Sequence, residues 1–396
     1  FCLRASFCLV AVNEHGEGLA ADVKVYVGED TPGSPRNIRL KEVAPGRVQV
    51  TWEAPEVGTH GGYINPDNLK YEVTTSEGAS TTTTEKSHES TFTVPADKQT
   101  MIWFSLRARN NRGRGPVTPS DTLFLGDAYS MPFAESFARR TLNVSPWNMQ
   151  APEGAEWNVV SYGLYADPQD KDGGMVVFLN SVEGNVGHLV SPKITLEGKH
   201  PTLRFHVFHN PKTRNEVTAI LRDGEGHKHE LGHIVCKDLT GATADHDHGA
   251  WMAYTYNLED FLGHGAVQID LQVEGHLSPE QNNTCYIDNI SLFDWQDHNL
   301  QLTDLQSAQT EVKVGEAVQF AVTLRNNGSQ TATDYKVLLL RDGRQVASLA
   351  GEPIPSDSVQ TLLLTDRPNA DAKESSVYTA QIVWDADEVA DDNQSS

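Results

Sequence analysis

The sequence predicts an all-β protein made of serial antiparallel β-sandwiches. Short segments in which apolar and polar residues alternate recur along the chain, and alternation with period two is typical of half-buried strands. Turn-forming residues separate these segments. Sustained helical periodicity is hard to find, and only residues 256–263 indicate a short helical turn or 3-10 connector. Clear examples of the alternating segments are residues 47–52, 70–73, 204–208 and 318–324.

Length and composition narrow the functional classes. A chain of 396 residues is expected to hold roughly two to four domains. No run approaches the roughly 18 uncharged apolar residues that a membrane span needs, so no membrane insertion is expected. Asp and Glu number 54 against 31 Lys and Arg, which gives a net charge of -23. This charge repels nucleic-acid phosphates and anionic membrane surfaces, so we expect no nucleic-acid partner.

The first 31 residues contain one member of an internal repeat. Residues 11–18 are echoed by residues 108–115, and each copy has a strand before and after a Gly-bearing turn. We interpret residues 1–31 as the closing hairpin of a partial domain, because about thirty residues cannot bury an independent core. The chain opens with Phe and shows no secretion-leader pattern, so we interpret it as a piece of a longer protein.

Residues 32–126 are predicted to form a complete sandwich. The repeated pattern Ala-x-Asn-x-x-Gly-x-Gly, seen at residues 108–115, resembles the last hairpin of fibronectin type III domains. The resemblance implies that Trp52, at the end of the second strand, is the core tryptophan. The chain departs from that family at Ile102, where the family has the tyrosine that makes a corner hydrogen bond.

Residues 127–296 have a different texture. The segments Leu-Val-Ser-Pro-Lys at 189–193 and Ile-Asp-Asn-Ile at 287–290 are the clearest of several motifs. Their order resembles the MAM-like jelly roll that bacterial surface proteins carry as a cleaved adhesin or choice-of-anchor J domain. The resemblance implies a jelly-roll sandwich and a protein of the Bacteroidetes kind.

Residues 297–396 are predicted to be an immunoglobulin-like sandwich. A Val-Gly-Glu turn at 314–316, the strand closing in Arg-Asn-Asn-Gly at 325–328 and a final strand at 378–385 resemble the CARDB family. The acidic segment 385–393 lies where that family has a loop before its last strand. We therefore expect the last strand to be missing and the neighbouring edge to be exposed.

The sequence His-Glu-Leu-Gly-His at 229–233 satisfies the H-E-x-x-H pattern of zinc peptidases. That pattern binds zinc only on a helix, where residues four apart share one face. Here a turn at 223–226 separates two alternating runs, which predicts a β-hairpin. Residues four apart on a strand are separated by roughly 13 Å, which is too far for one ion. A second His-rich segment, 245–248, is expected to be a solvated loop, with adventitious transition-metal binding as the alternative.

Calcium is the metal that the jelly-roll resemblance implies. Such domains hold a structural Ca²⁺ with an acid on the first strand, acids in a following loop and an acid on the last strand. The matching positions are Glu135, the loop 167–173 with Asp172, and Asp288. Ca²⁺ takes six to eight oxygen ligands, often where loops meet. The alternative is that Asp288 caps a turn and the loop acids are solvated.

Two further side-chain pairs leave alternatives open. Trp251 and Tyr254 are candidates for a ligand-binding platform, with the loop-like Trp251 preferred, although aromatic residues on strands also pack in cores. Cys236 and Cys285 either pair, if their strands meet, or are two small buried hydrophobes.

We expect a non-catalytic protein that is extracellular or displayed on the cell surface. The central jelly roll is predicted to bind a host or cell-surface protein or a glycan, and the flanking sandwiches are predicted to be spacers. The first alternative is the accessory region of a larger secreted hydrolase or peptidase. The second is a zinc peptidase that uses residues 229–233.

Overall fold

The computed structural model describes residues 3–144, 146–170, 173–238, 249–279, 283–307, 309, 311–369 and 375–395. All major elements are strands in antiparallel sheets, which confirms the predicted all-β class of serial sandwiches. No helix in the described part of the chain is long and apolar enough to cross a membrane. The predicted boundaries at 31/32 and 126/127 both fall inside the first of two compact units. The first unit is Phe1–Leu196, Arg204–Tyr256 and Phe261–Ser291, and the second is Glu197–Leu203, Asn257–Asp260 and Leu292–Ser396.

The N-terminal residues form the predicted hairpin. Its strands are β1 (Leu3–Leu9), β2 (Val12–Asn13), β3 (Gly16–Glu17) and β4 (Ala21–Val27). β1 pairs with β4, and Asn13 faces Gly16 at the turn. Phe7 is 59% exposed and Leu9 is 76% exposed, so this hairpin buries little apolar surface of its own.

The second segment is a sandwich around Trp52. Its strands are β5 (Arg36–Ala44), β6 (Arg47–Glu53), β7 (Lys70–Thr75), β8 (Ser80–Thr83), β9 (Ser87–Thr91), β10 (Thr100–Ile102), β11 (Phe104–Asn110), β12 (Gly113–Arg114), β13 (Thr118–Pro119) and β14 (Leu123–Leu125). A 3-10 helix lies at Pro66–Asn68. One sheet has the order β5-β6-β9, a second has the order β12-β11-β7-β8 with β13 on β11, and β10 pairs with β14. Trp52 is buried edge-on against Tyr71, and Ile102 is fully buried in the same core.

The central segment is a two-layer sandwich of eleven described strands. They are β15 (Phe133–Glu135), β16 (Asn148–Gln150), β17 (Ala155–Val160), β18 (Met175–Asn180), β19 (Asn185–Val190), β20 (Pro201–His209), β21 (Glu216–Arg222), β22 (Lys228–Val235), β23 (Ala250–Asn257), β24 (Gln268–Gly275) and β25 (Thr284–Asp294). The six-stranded sheet has the order β17-β18-β25-β20-β23 with β15 on β25, and the five-stranded sheet has the order β16-β19-β24-β21-β22. 3-10 helices lie at Ala138–Arg140 and Glu259–Phe261, and the second confirms the predicted helical turn.

The C-terminal segment is a smaller sandwich. Its strands are β26 (Leu300–Ser307), β27 (Val318–Asn326), β28 (Lys336–Arg341), β29 (Arg344–Ala350), β30 (Val359–Asp366), β31 (Tyr378–Val383) and β32 (Gln394–Ser395). The sheets have the orders β26-β27-β30 and β29-β28-β31-β32. The acidic segment forms the expected loop and ends in a 3-10 helix at Ala390–Asp392. The chain then pairs with β31 at Gln394–Ser395, so the edge that was predicted to be open is covered at those two positions.

Candidate functional site

The residues of the H-E-x-x-H pattern lie on strand β22, which confirms the predicted hairpin. His229 Nε2 lies 3.0 Å from Asp223 Oδ2 in the turn, whereas His233 Nε2 lies 3.1 Å from Glu216 Oε2 at the far end of β21. The hydrogen bond with His229 holds the pKa of Asp223 well below its usual range. The two imidazoles therefore contact different carboxylates, and the helical geometry of a zinc peptidase is not formed here.

A row of polar side chains crosses the outward face of the five-stranded sheet. Strand pairing places Gln150 beside His188, His188 beside Gln272, Gln272 beside Thr218, and Thr218 beside His233. These five residues, which we call the polar row, come from all five strands of the sheet. Each is half-buried except His233, which is exposed. Side chains alternate between the two faces of each strand. Each residue of the row therefore faces outward, whereas its neighbours along the strand face the core.

A buried charge network lies next to the polar row. Asp270 is fully buried, and its carboxylate lies 3.1 Å from His188 Nδ1 and accepts a hydrogen bond from Arg222 Nε at 3.1 Å. Burial alone raises the pKa of Asp270, but the hydrogen bond with His188 and the charge of Arg222 outweigh it and lower that pKa. The ionised carboxylate holds the side chains of His188 and Arg222 in place by charge-assisted hydrogen bonds. His188 of the polar row is therefore ordered.

Glu135 lies at the first strand of the central sandwich and is fully buried. Its carboxylate accepts backbone hydrogen bonds from Phe137 at 2.7 Å, from Asn143 at 3.0 Å and from Val144 at 2.9 Å. Burial raises its pKa. A carboxylate offers about four lone-pair sites. The three amides and the Trp147 side chain, which also hydrogen-bonds this carboxylate, occupy most of that capacity, and a cation there would relieve the cost of burial.

Asp288 is also fully buried, on β25, and β25 pairs with β15, the strand that carries Glu135. Its carboxylate accepts hydrogen bonds from the backbone N–H groups of Gln169 and Asn289, both at 2.8 Å. The loop that contains Gln169 therefore lies against the last strand. The two buried carboxylates offer oxygen atoms, which are the ligands that calcium prefers. Asp172 lies outside the described residues, as does the His-rich segment 245–248.

The predicted aromatic platform lies on β23. Trp251 packs edge-on against Phe208, and its Nε1 donates to the Asp167 carbonyl at 2.8 Å. Tyr254 stacks on His209, and its hydroxyl lies 2.7 Å from His209 Nε2. Burial raises the pKa of Tyr254 to about 12. The polar atoms of both rings thus have partners within the protein, and their binding role stays a prediction.

Cys236 and Cys285 are both buried, and their Sγ atoms lie 3.9 Å apart. The hydrogen bond with the Cys285 thiol, together with burial, raises the pKa of Cys236. The turn after β22 and strand β25 therefore bring the two residues together, as free thiols in this structure.

Sequence reasoning missed the polar row and the network around Asp270. Alternation within each strand was visible, and it indicates which residues of one strand share a face. The register between strands that are far apart in the chain was not visible, and it is what places His188, Arg222 and Asp270 together. The sequence signal for this face is the number of polar residues at outward positions of the predicted strands in residues 127–296.

Comparisons with known proteins bear on parts of the chain. Residues 298–395 match the model of the CARDB family, in the segment where that resemblance was predicted. Receptor-type tyrosine-protein phosphatase F of Mus musculus is 24% identical over 147 residues, which are 36% of this chain and 8% of that protein. The chain thus spans less than a tenth of that relative's length.

Several solved structures are similar to parts of the chain. A cleaved adhesin domain of Lys-gingipain from Porphyromonas gingivalis is 15% identical with a TM-score of 0.31, over 41% of this chain and 98% of that one. A structure of carbohydrate-binding modules from the β-sandwich superfamily is 13% identical with a TM-score of 0.29, over 66% of this chain and 99% of that one. A module from Caldicellulosiruptor saccharolyticus in complex with mannohexaose is 13% identical with a TM-score of 0.29, over 41% and 96%.

Proposed function

We propose that this chain is a non-catalytic binding protein of the cell surface or extracellular space, and that its central sandwich binds a glycan on the polar row. The observation that carries the proposal is that Gln150, His188, Gln272, Thr218 and His233 form one line across five strands. Amide, imidazole and hydroxyl groups donate and accept hydrogen bonds, which is what the hydroxyl groups of a sugar chain require.

The charged residues next to the row, Asp270 and Arg222, support recognition of a neutral ligand. Asp270 is paired with Arg222 and His188, so their charges are largely satisfied within the protein. A ligand on the row therefore meets amide and hydroxyl groups that are held by neighbouring strands. Groups held on strands lose less conformational entropy on binding than groups on loops.

The experiment is a glycan array probed with the full chain, followed by titration of the best ligand. Gln150→Ala and Gln272→Ala each remove an amide from the row, and we expect each to weaken binding by roughly fivefold, about 1 kcal/mol for a lost hydrogen bond. Gln49→Ala is the matched control, because Gln49 is a half-buried strand glutamine of the first sandwich. If both row variants bind the glycan with unchanged affinity, the polar row is not the binding site.

We further propose that a structural calcium ion is held by Glu135, the loop around Gln169 and Asp288. When bound, the ion supplies positive charge to two buried carboxylates and ties the loop to the last strand. The support is the complete burial of both carboxylates on neighbouring strands.

Calcium is expected to raise the thermal stability of the first unit, because a ligand that binds only the folded state stabilises it. Scanning calorimetry of the full chain with calcium and with a chelator measures the shift in Tm. Asp288→Asn should abolish the shift, whereas Asp121→Asn, an exposed acid of the second segment, should keep it. A calcium response that is the same in both variants counts against this site.

A further inference from the structure

Three ligand atoms of metal-binding types converge at the end of the five-stranded sheet. Glu216, Glu274 and His276 each offer one such atom, and these atoms all lie within 4.8 Å of one another. We call these residues the edge cluster. No other group of three His, Cys, Asp or Glu in the described ranges meets this distance. The cluster is distinct from the polar row, the proposed calcium ligands and the H-E-x-x-H pattern, apart from its contact with His233.

The two carboxylates of the edge cluster face each other across paired strands. Glu216 is the first residue of β21, Glu274 lies near the end of β24, and the register places them directly opposite. Like charges in directly opposite positions destabilise a sheet. A divalent cation between the two carboxylates turns this repulsion into two attractive contacts.

His276 is held in the orientation that a metal ligand needs. Its Nδ1 lies 2.8 Å from Glu183 Oε1, and the backbone N–H of Leu277 donates to Glu183 Oε2 at 2.7 Å. Because a carboxylate only accepts, Nδ1 donates to Glu183, and Nε2 is the ring nitrogen that faces the other ligands of the cluster. That Nε2 lies 3.4 Å from Glu274 Oε1. Metal-binding histidines typically have such a carboxylate behind the ring, which fixes the tautomer.

The backbone around His276 is fixed as well. Its N–H donates to Asn215 Oδ1 at 2.9 Å, and the Asn215 side chain is fully buried. A second imidazole adjoins the cluster, because His233 Nε2 lies 3.1 Å from Glu216 Oε2 and its Nδ1 lies 3.1 Å from Thr218 Oγ1. The ring nitrogen that faces the cluster is again Nε2.

We propose that Glu216, Glu274 and His276 bind a zinc ion, with Glu183 as the positioning residue behind His276. Zinc takes mixed nitrogen and oxygen ligands in a tetrahedral arrangement, whereas calcium takes oxygen ligands. The donor set therefore favours zinc. The fourth position is left for water or for His233.

Nearby basic side chains lower the expected affinity of this site for zinc. Lys212, Arg214 and Lys237 line the depression of ≈ 590 Å³ that Glu216 and His276 also line. Their positive charge opposes a cation, while Glu183 adds a third carboxylate beside the ligands. The affinity is therefore expected to be lower than that of a four-ligand structural zinc site.

The test is calorimetric titration of the full, calcium-saturated chain with zinc chloride at neutral pH. We expect zinc binding that His276→Gln or Glu274→Gln each weakens by at least roughly tenfold. Glu183→Gln should weaken it by roughly 10–100-fold, as removal of an outer partner does. His229→Gln is the matched control, because His229 lies on the same strand as His233 but contacts Asp223.

Two results overturn the proposal: no zinc binding by the wild-type chain, or binding that His276→Gln and Glu274→Gln both leave unchanged. Circular dichroism of each variant shows whether a loss of binding comes from unfolding. Since Gln272→Ala keeps every residue of the edge cluster, it should keep zinc binding, so failure of the glycan proposal does not affect this one.

Discussion

Asp270 of the central sandwich is a carboxylate with no exposed surface, and its partners come from two other strands. Burying a charge is unfavourable unless it is paired and hydrogen-bonded. Removing one partner leaves the remaining charge uncompensated, which typically costs more than the pair contributes when intact.

Arg222→Met is expected to destabilise the first unit by about 3 kcal/mol at neutral pH, because it leaves the buried Asp270 without its cation. The pKa of Asp270 in the folded protein lies below the ordinary value of 3.8. The ionised network therefore stabilises the fold above that value, and this contribution is lost as the pH falls through the folded pKa.

Urea unfolding of wild type and Arg222→Met as a function of pH checks this prediction. The difference in unfolding free energy should be largest at neutral pH and should shrink as the pH falls below 3.8. Arg47→Met is the control, because Arg47 pairs with Glu89 on an exposed face and such pairs contribute little. Equal effects of the two substitutions contradict the assignment.

At the scale of the element, strand β22 shows that the role of a sequence motif depends on its secondary structure. Gly232 sits inside the H-E-x-x-H pattern, and a Cβ added there would meet Tyr256 Oη at 2.6 Å and Tyr256 Cε1 at 2.7 Å. The glycine thus allows a tyrosine of β23 to approach the strand. It serves packing between the two sheets rather than metal chemistry.

Gly232→Ala is expected to destabilise the first unit by roughly 1–3 kcal/mol, because a rigid ring must move. Gly78→Ala separates this steric effect from backbone strain, since Gly78 has a φ of 88° and no atom within 4 Å of an added Cβ. The control should cost roughly 1–2 kcal/mol, which is the cost of a left-handed backbone for a residue with a Cβ. Thermal unfolding of both variants measures the difference, and a smaller cost at Gly232 than at Gly78 contradicts the packing role.

The same strands show how far sequence reasoning reaches. Alternation and turn residues predicted the hairpin that contains β22, because both signals are local in the chain. Glu135 and Asp288 were singled out by a family resemblance, and the pairing of β15 with β25 puts them on neighbouring strands, while their role as metal ligands stays a prediction. The edge cluster was not predicted. Its residues come together only through the register of β21 and β24, which local pattern does not specify.

At the scale of the whole molecule, the chain consists of sandwiches with separate apolar cores. The core of the second unit contains residues of both of its sheets, such as Leu324 on β27 and Leu339 on β28, all from residues 300–382. The core of the first sandwich lies within residues 48–125. Domains with their own cores are expected to unfold as separate cooperative units.

Scanning calorimetry of the full chain should therefore show more than one transition. Leu324→Ala removes most of a fully buried side chain, so it should cost about 2–5 kcal/mol and lower the Tm of one transition by roughly 10–20 °C. Leu363→Ala is the matched control, because Leu363 is 61% exposed on the neighbouring strand β30, and it should leave every transition in place. The proposed calcium ligands belong to the first unit, whereas Leu324 belongs to the second. Calcium should therefore raise the Tm only of a transition whose Tm Leu324→Ala leaves unchanged. A single transition that both calcium and Leu324→Ala shift would mean that the units unfold together, and that their separate cores do not make them independent.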